Sequence, residues 1–162
     1  MSNSESNIQK ENVWDYPRPP RLEEVTKEIK IIFNGVVIAL TTKAYRILET
    51  SHPPTYYIPL QDIKSDYLIE SSAISFCEWK GQAKYYDLQV KDKLAKKVCW
   101  YYPEPSKKYK KIKNFVAFYA EPMDACYVGS EKVMPQSGNF YGGWITSNLI
   151  GPFKGIPGSM GW

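Results

Sequence analysis

The chain has 162 residues, thirteen of them Tyr and five Trp, and a formal charge of +4. That length suits one domain with a core that needs no disulfide or metal, since a chain of this size buries roughly 70% of its unfolded surface. A mildly basic balance is what a solvated lysine surface gives, and three scattered cysteines with no C-x-x-C argue against a disulfide framework and a structural zinc site.

Aromatics at 15% favour strands, because flat and β-branched side chains fit a pleated, half-buried surface. Residues 1–13, MSNSESNIQKENV, are polar without an apolar repeat and read as a disordered arm. Trp14-Asp15-Tyr16-Pro17-Arg18-Pro19-Pro20-Arg21 continues it in an extended form that proline enforces. The arm either lies across the domain, anchored by Trp14 and Tyr16, or is offered to a partner's aromatic groove.

Glu28–Phe33 (EIKIIF) and Val36–Thr41 (VVIALT) flank Asn34-Gly35, a pair suited to a two-residue turn with positive φ at both positions. Tyr45–Glu49 is expected as a third strand, followed by the break Thr50-Ser51-His52-Pro53-Pro54 and the strand Thr55–Pro59. Leu60–Leu68 reads as one irregular helical turn.

Ser72–Trp79 and Ala83–Val90 form a central hairpin around Lys80-Gly81. A two-residue loop sets Cys77 opposite Lys84; a three-residue loop sets it opposite Tyr85 with Glu78 facing Lys84. The second pairs opposite charges and puts Ser75, Cys77, Ala83 and Tyr85 on one face. Asp92–Lys97 reads as a polar link, Val98–Pro103 and Asn114–Ala120 as aromatic strands, and Cys126–Gly129 as a short edge. The lysines of Lys107–Lys113 are a solvated loop, and nucleic acid is not the expected partner.

From Pro135 onward Gly, Pro and aromatics dominate without a period, so this tail is expected to wrap its own domain or dock on a partner. These signals add up to an all-β fold, a single compact β-sandwich or partly open barrel with few or no long helices. The expected division is an arm over 1–24, a β domain over 25–129 and a packed tail over 130–162.

Glu49-Thr50 with Pro53-Pro54, Tyr56-Tyr57-Ile58-Pro59 and Asp62, then Cys77-x-x-Lys80-Gly81-x-Ala83-x-Tyr85, Trp100-x-Tyr102-x-x-Pro105 and Val116-Ala117-Phe118-Tyr119 carry a resemblance. Over about Val25 to Gly129 the chain resembles the family of domain of unknown function 427. Its Pro-rich arm and Gly-rich tail look like the extended form found in photosynthetic lineages. The resemblance implies a β-tent-like domain and no settled activity. The carboxylate pair of a nucleotidyltransferase, a P-loop and G-x-G-x-x-G are missing from the sequence.

The candidate site follows from the central hairpin. Small Ala83 leaves room beside Cys77 among aromatic walls, and Lys80, Glu49 and Tyr57 are expected to converge there. Glu49, Tyr57, Cys77, Lys80 and Tyr85 are the candidate ligand-binding residues for a small polar or anionic molecule. Cys77, Lys80 and Glu49 are the candidate catalytic ones, with Cys77 as nucleophile. The competing reading makes Cys77 a small buried hydrophobe and Lys80 an exposed turn tip. His52 reads as a loop histidine and Asp62 as a turn or cap residue. No metal is expected, and the cofactor is unknown. An interaction module working through arm and tail is the alternative function, and a homo-oligomer stays open. Sparse cysteines and the lack of any window near ~18 apolar residues point to a cytoplasmic protein without a membrane span.

Overall fold

The computed structural model describes residues 9–138 and 140–162. The first eight residues of the expected disordered arm, and Asn139 of the tail, lie outside the described residues. Strands in chain order are β1 (Glu11–Asn12), β2 (Arg21–Glu24), β3 (Ile29–Phe33), β4 (Val36–Thr41), β5 (Tyr45–Leu48), β6 (Thr55–Tyr57), β7 (Leu68–Cys77) and β8 (Gly81–Val90). They continue as β9 (Lys93–Tyr101), β10 (Val116–Phe118), β11 (Ala125–Val128), β12 (Glu131–Lys132), β13 (Met134–Pro135), β14 (Trp144–Ile145) and β15 (Leu149–Ile150). Helical structure among the described residues is confined to short 3-10 segments, the longest Lys107–Ile112.

The fold is an all-β sandwich of open sheets, none of which closes into a barrel. The sheets run in the orders β10-β9-β8-β7, β12-β11-β3-β4 and β2-β5-β6, with two-stranded pairs β1-β15 and β13-β14. Asn34 and Gly35 have φ of 49° and 76°, the left-handed geometry that lets a two-residue turn follow the strand twist. A bridge between Ile58 and Val116 ties the end of β6 to β10 and joins two of the sheets.

Alternation along the aromatic strands explains why almost every position there is buried. Successive side chains point to opposite faces of a sheet. Cys99, Tyr101, Val116 and Phe118 therefore enter a large aliphatic core with Ile29, Ile31 and Phe33. Trp100, Tyr102 and Ala117 enter a second, aromatic core with Tyr57, Ala83 and Tyr85. The candidate site is built on this second core. A third cluster, Val13, Tyr16 and Leu48 with Leu149 and Phe153, fastens the arm to the tail.

Three expectations need correction. Leu60–Leu68 is two 3-10 turns, Leu60–Asp62 and Ser65–Tyr67, not one. The polar link expected at Asp92–Lys97 is the first half of β9, turned at Lys91, whose φ is 57°. Ladder hydrogen bonds to β8 hold it, so its lysines need no burial to stay in strand. The central hairpin adopts neither register considered from sequence: Cys77 faces Gly81 and Ser75 faces Ala83, around a Glu78–Lys80 loop. Lys84 lies opposite Ile74, so no Glu78–Lys84 pair forms across the strands.

The arm needs correction as well: expected to be disordered over 1–13, it is tied down from Glu11 onward, and Val13 is fully buried. β1 pairs in parallel with β15, and β2 pairs with β5. Among the described residues no helix is long and apolar enough to cross a membrane.

Candidate functional site

A cavity of about 270 Å³ opens between the Glu78–Lys80 loop, the aromatic face of β8 and β9, the end of β5 and the tail. Tyr57 from β6, Tyr85 from β8, Trp100 from β9 and the adjoining Tyr102 form its floor and sides. Phe140, Tyr141 and Gly142 of the tail form the facing wall. Tyr57, Trp100 and Tyr102 are buried. Neighbouring rings meet at a tilt rather than covering one another: Tyr57 and Tyr102 at 42°, Tyr85 and Trp100 at 44°, Trp100 and Tyr119 at 48°.

The wall is fixed by hydrogen bonds. Ser75 Oγ and Tyr85 OH lie 2.9 Å apart across β7 and β8, and the Tyr119 hydroxyl donates to Phe140 O at 3.0 Å. Trp144 anchors the tail beyond the cavity, donating through Nε1 to Phe118 O at 2.9 Å and stacking on Tyr56 at 5.1 Å. Gly142 is required by contact: a Cβ there would lie 2.1 Å from Cη2 of Trp100.

Lys80 is the residue that stands out. It is only 8% exposed, which is unusual for lysine. Its Nζ lies 5.8 Å from the Tyr102 ring centroid. Among the described residues no carboxylate comes within ion-pair distance of it. Burial works against its charge while Tyr57, Cys77 and Glu49 around it favour it, so its pKa is raised. With the Tyr57 phenol neutral, Glu49 is the carboxylate that supports the ammonium at pH 7. Lys80 is therefore an ammonium at neutral pH, set in a wall of aromatic rings. Burial also pushes the Tyr57 and Tyr102 phenols well above the ordinary tyrosine range, so both are neutral donors.

Glu49 and His52 make the other end of the cavity. Arg18 of the arm reaches Glu49 at 3.4 Å, and His52 Nε2 lies 3.8 Å from the same carboxylate oxygen. Gln136 of the tail fixes the imidazole. Its Oε1 accepts from Gly143 N–H at 3.0 Å and its Nε2 donates to Lys154 O at 2.8 Å. That sets the amide orientation, so the 3.3 Å contact with His52 Nδ1 is a donation by Gln136, and the imidazole proton sits on Nε2 facing Glu49. Desolvation, aided by Lys154, Arg18 and Lys80 and only partly offset by Glu49, pushes the His52 pKa down to about 4. His52 is neutral at pH 7.

Glu49, Tyr57, Cys77, Lys80 and Tyr85 all line this one cavity. Sequence reasoning did not assign Trp100, Tyr102, Tyr119, His52, Gln136 or the tail residues to it. Cys77 is half-buried, whereas Cys99 and Cys126 are buried and their thiol pKa values are pushed far up by that burial. Asp62 accepts from Thr41 Oγ1 at 2.7 Å, away from the cavity. In the lysine run, Tyr109 and Ile112 are buried and the Tyr109 hydroxyl donates to Pro20 O at 2.7 Å, while the lysines face solvent.

A further cavity of about 210 Å³ is lined by Glu11, Glu23, Arg46 and Tyr56. Its charges satisfy one another, with Arg46 at 3.0 Å from Glu11 and 2.6 Å from Glu23. No group of three or more His, Cys, Asp or Glu side chains could hold a metal ion among the described residues.

The family model described as a domain of unknown function (DUF427) matches residues 21–129, and the chain belongs to that family. No curated protein matches the chain.

Proposed function

We propose that this DUF427 protein is a binding module for a small anionic molecule, held in the cavity beside the Glu78–Lys80 loop. Glu49, Tyr57, Cys77, Lys80 and Tyr85 are its contact residues. One observation carries the reading: Lys80 is buried, and among the described residues no carboxylate lies within ion-pair distance of it. A charge taken out of water is costly unless paired, so the site is incomplete until an anion enters. Aromatic walls of low polarity strengthen that pairing.

The binding unit is the whole chain. The domain over 25–129 supplies Lys80 and the aromatic floor, and the tail over 130–162 supplies the facing wall. This favours the pocket over a module that offers arm and tail to a partner, because Trp14, Trp144 and the Glu11–Asn12 strand are engaged within the chain. A Cys77 nucleophile gains less support. His52, the one imidazole, faces Glu49 and Gln136 and is not bonded to Cys77.

Native mass spectrometry of the full chain, followed by calorimetric titration with the anion it releases, tests the proposal. A co-purified anion whose binding falls at least tenfold in Lys80→Met is the expected result. Unchanged affinity in a folded Lys80→Met protein would remove the proposal.

A further inference from the structure

The cavity's unspent chemistry is narrow. Glu49 is engaged by Arg18. Both ends of the Gln136 amide are engaged by backbone groups. The Tyr85 and Tyr119 hydroxyls are matched with Ser75 and Phe140 O, and the Tyr57 and Tyr102 rings lie 6.3 Å apart at a tilt. His52 adds no positive charge at neutral pH. What stands out for a ligand is the buried Lys80 ammonium and the ring surfaces around it, since Lys154, the other lysine of the lining, donates to Trp162 O at 3.1 Å.

Those surfaces are flat. No Leu, Ile, Val or Met lines the cavity among the described residues. A site for a saturated acyl chain uses flexible aliphatic walls; this one offers π faces, which favour offset-stacked or edge-on contact with another ring. A sugar would need donors and acceptors around most of its rim, and aromatic rings form much of this wall. A phosphate dianion would face the Glu49 carboxylate in the same cavity, with Lys80 the buried cation and Lys154 already engaged by Trp162 O. At about 270 Å³ the space lies just below the roughly 300–1,000 Å³ of sites for drug-sized ligands, so the ligand is small.

We infer that the ligand class is a planar aromatic monocarboxylate of one or two rings, its carboxylate on Lys80 Nζ and its ring between Tyr57, Tyr85, Trp100 and Tyr141. The inference rests on the binding reading above and specifies it. The carboxylate accepts from the ammonium, and the ring meets the aromatic side chains that line the cavity.

Calorimetric titration of the full chain at pH 7 with benzoate, indole-3-carboxylate, cyclohexanecarboxylate, glucuronate, benzamide and inorganic phosphate separates the possibilities. Stacking supplies about five- to tenfold in affinity for an aromatic ring over a saturated one. The expected order is therefore benzoate or indole-3-carboxylate above cyclohexanecarboxylate, with benzamide weaker still because it lacks the charge. Cyclohexanecarboxylate, glucuronate or phosphate binding as tightly as benzoate overturns the aromatic class and leaves the anion site standing. Benzamide matching benzoate, or no probe binding, overturns both. The series uses only the unaltered chain, so it does not depend on any variant folding. Lys80→Arg, which keeps the charge, is expected to retain the preference of benzoate over benzamide.

Discussion

Glu49 Oε2 lies 3.8 Å from His52 Nε2, yet the pair is not an ion pair at neutral pH. Burial and the cations of Lys154, Arg18 and Lys80 hold the imidazole neutral, its pKa pushed down to about 4 from the ordinary 6.5. In the unfolded chain His52 takes a proton near pH 6.5; in the folded chain it resists until about pH 4. Between those values the unfolded state binds more protons, so stability rises with pH across this window and is flat for this group above it. The loss on acidification reaches at most about 3 kcal/mol. Urea unfolding of the native chain and His52→Gln at pH 7, 5.5 and 4 reads it out. The two curves should diverge as pH falls, with the native chain losing more. Parallel curves would mean that His52 ionises alike in both states.

Cysteine labelling separates the three thiols. Cys77 is half-buried at the cavity, while Cys99 and Cys126 are buried with thiol pKa values pushed far above the ordinary range by desolvation. The thiolate is the reactive species, so native protein should take up about one equivalent of iodoacetamide, at Cys77. Cys99 and Cys126 should label only on unfolding. Peptide mapping after a short exposure checks this. Early labelling of Cys99 would contradict its place in the aliphatic core.

The site face was legible in the sequence even though the hairpin register was not. The favoured pairing set Cys77 opposite Tyr85, whereas it faces Gly81. Each strand's side-chain period is two, and the sum of paired residue numbers changes by an even number between these registers. Ser75, Cys77, Ala83 and Tyr85 therefore stay on one face. The two-residue alternative, an odd change, would have turned Cys77 away from Tyr85. The Asn34-Gly35 turn was legible because its chemistry is local, but the register shift between Ile31 and Ile32 in the same hairpin was not. The tail was not. Gln136, Tyr141 and Gly142 reach the cavity through contacts with His52 and Trp100 that are far away in sequence, and no period marks them. Lys80 was expected at the pocket, but the depth of its burial was not legible, because a Lys-Gly turn on its own also fits an exposed tip.

Gly142→Ala tests whether the tail wall matters. The added methyl would sit 2.1 Å from Cη2 of Trp100, and that ring is buried and packed on Tyr119 at 4.7 Å. Trp100 cannot yield readily, so the tail must lift. Overpacking of this kind costs about 1–3 kcal/mol. A lower Tm is expected, together with new proteolytic cuts between Gln136 and Trp144 and weaker anion binding. A variant with native Tm and an unchanged digestion pattern would show that the tail does not close the cavity.

Ser51 offers the opposite outcome, a stabilising change. It is wholly buried, its φ is 73°, and its Oγ has no hydrogen-bond partner. The backbone is held in this left-handed conformation by Ser51 N–H donating to Val13 O at 3.0 Å and Lys154 N–H donating to Ser51 O at 2.8 Å. Those bonds join arm and tail, so the residue cannot relax without separating them. Glycine keeps both bonds and removes the Cβ strain and the orphaned hydroxyl, at the cost of a more flexible unfolded chain. The unsatisfied hydroxyl alone is worth about 1 kcal/mol or more. Ser51→Gly should therefore gain about 1 kcal/mol and raise Tm by roughly 2–4 °C for a chain of this length. Ser51→Ala, which removes only the hydroxyl, should gain less. If alanine proves the more stable of the two by thermal unfolding, the strain assigned to this position is absent and the hydroxyl accounts for the whole effect.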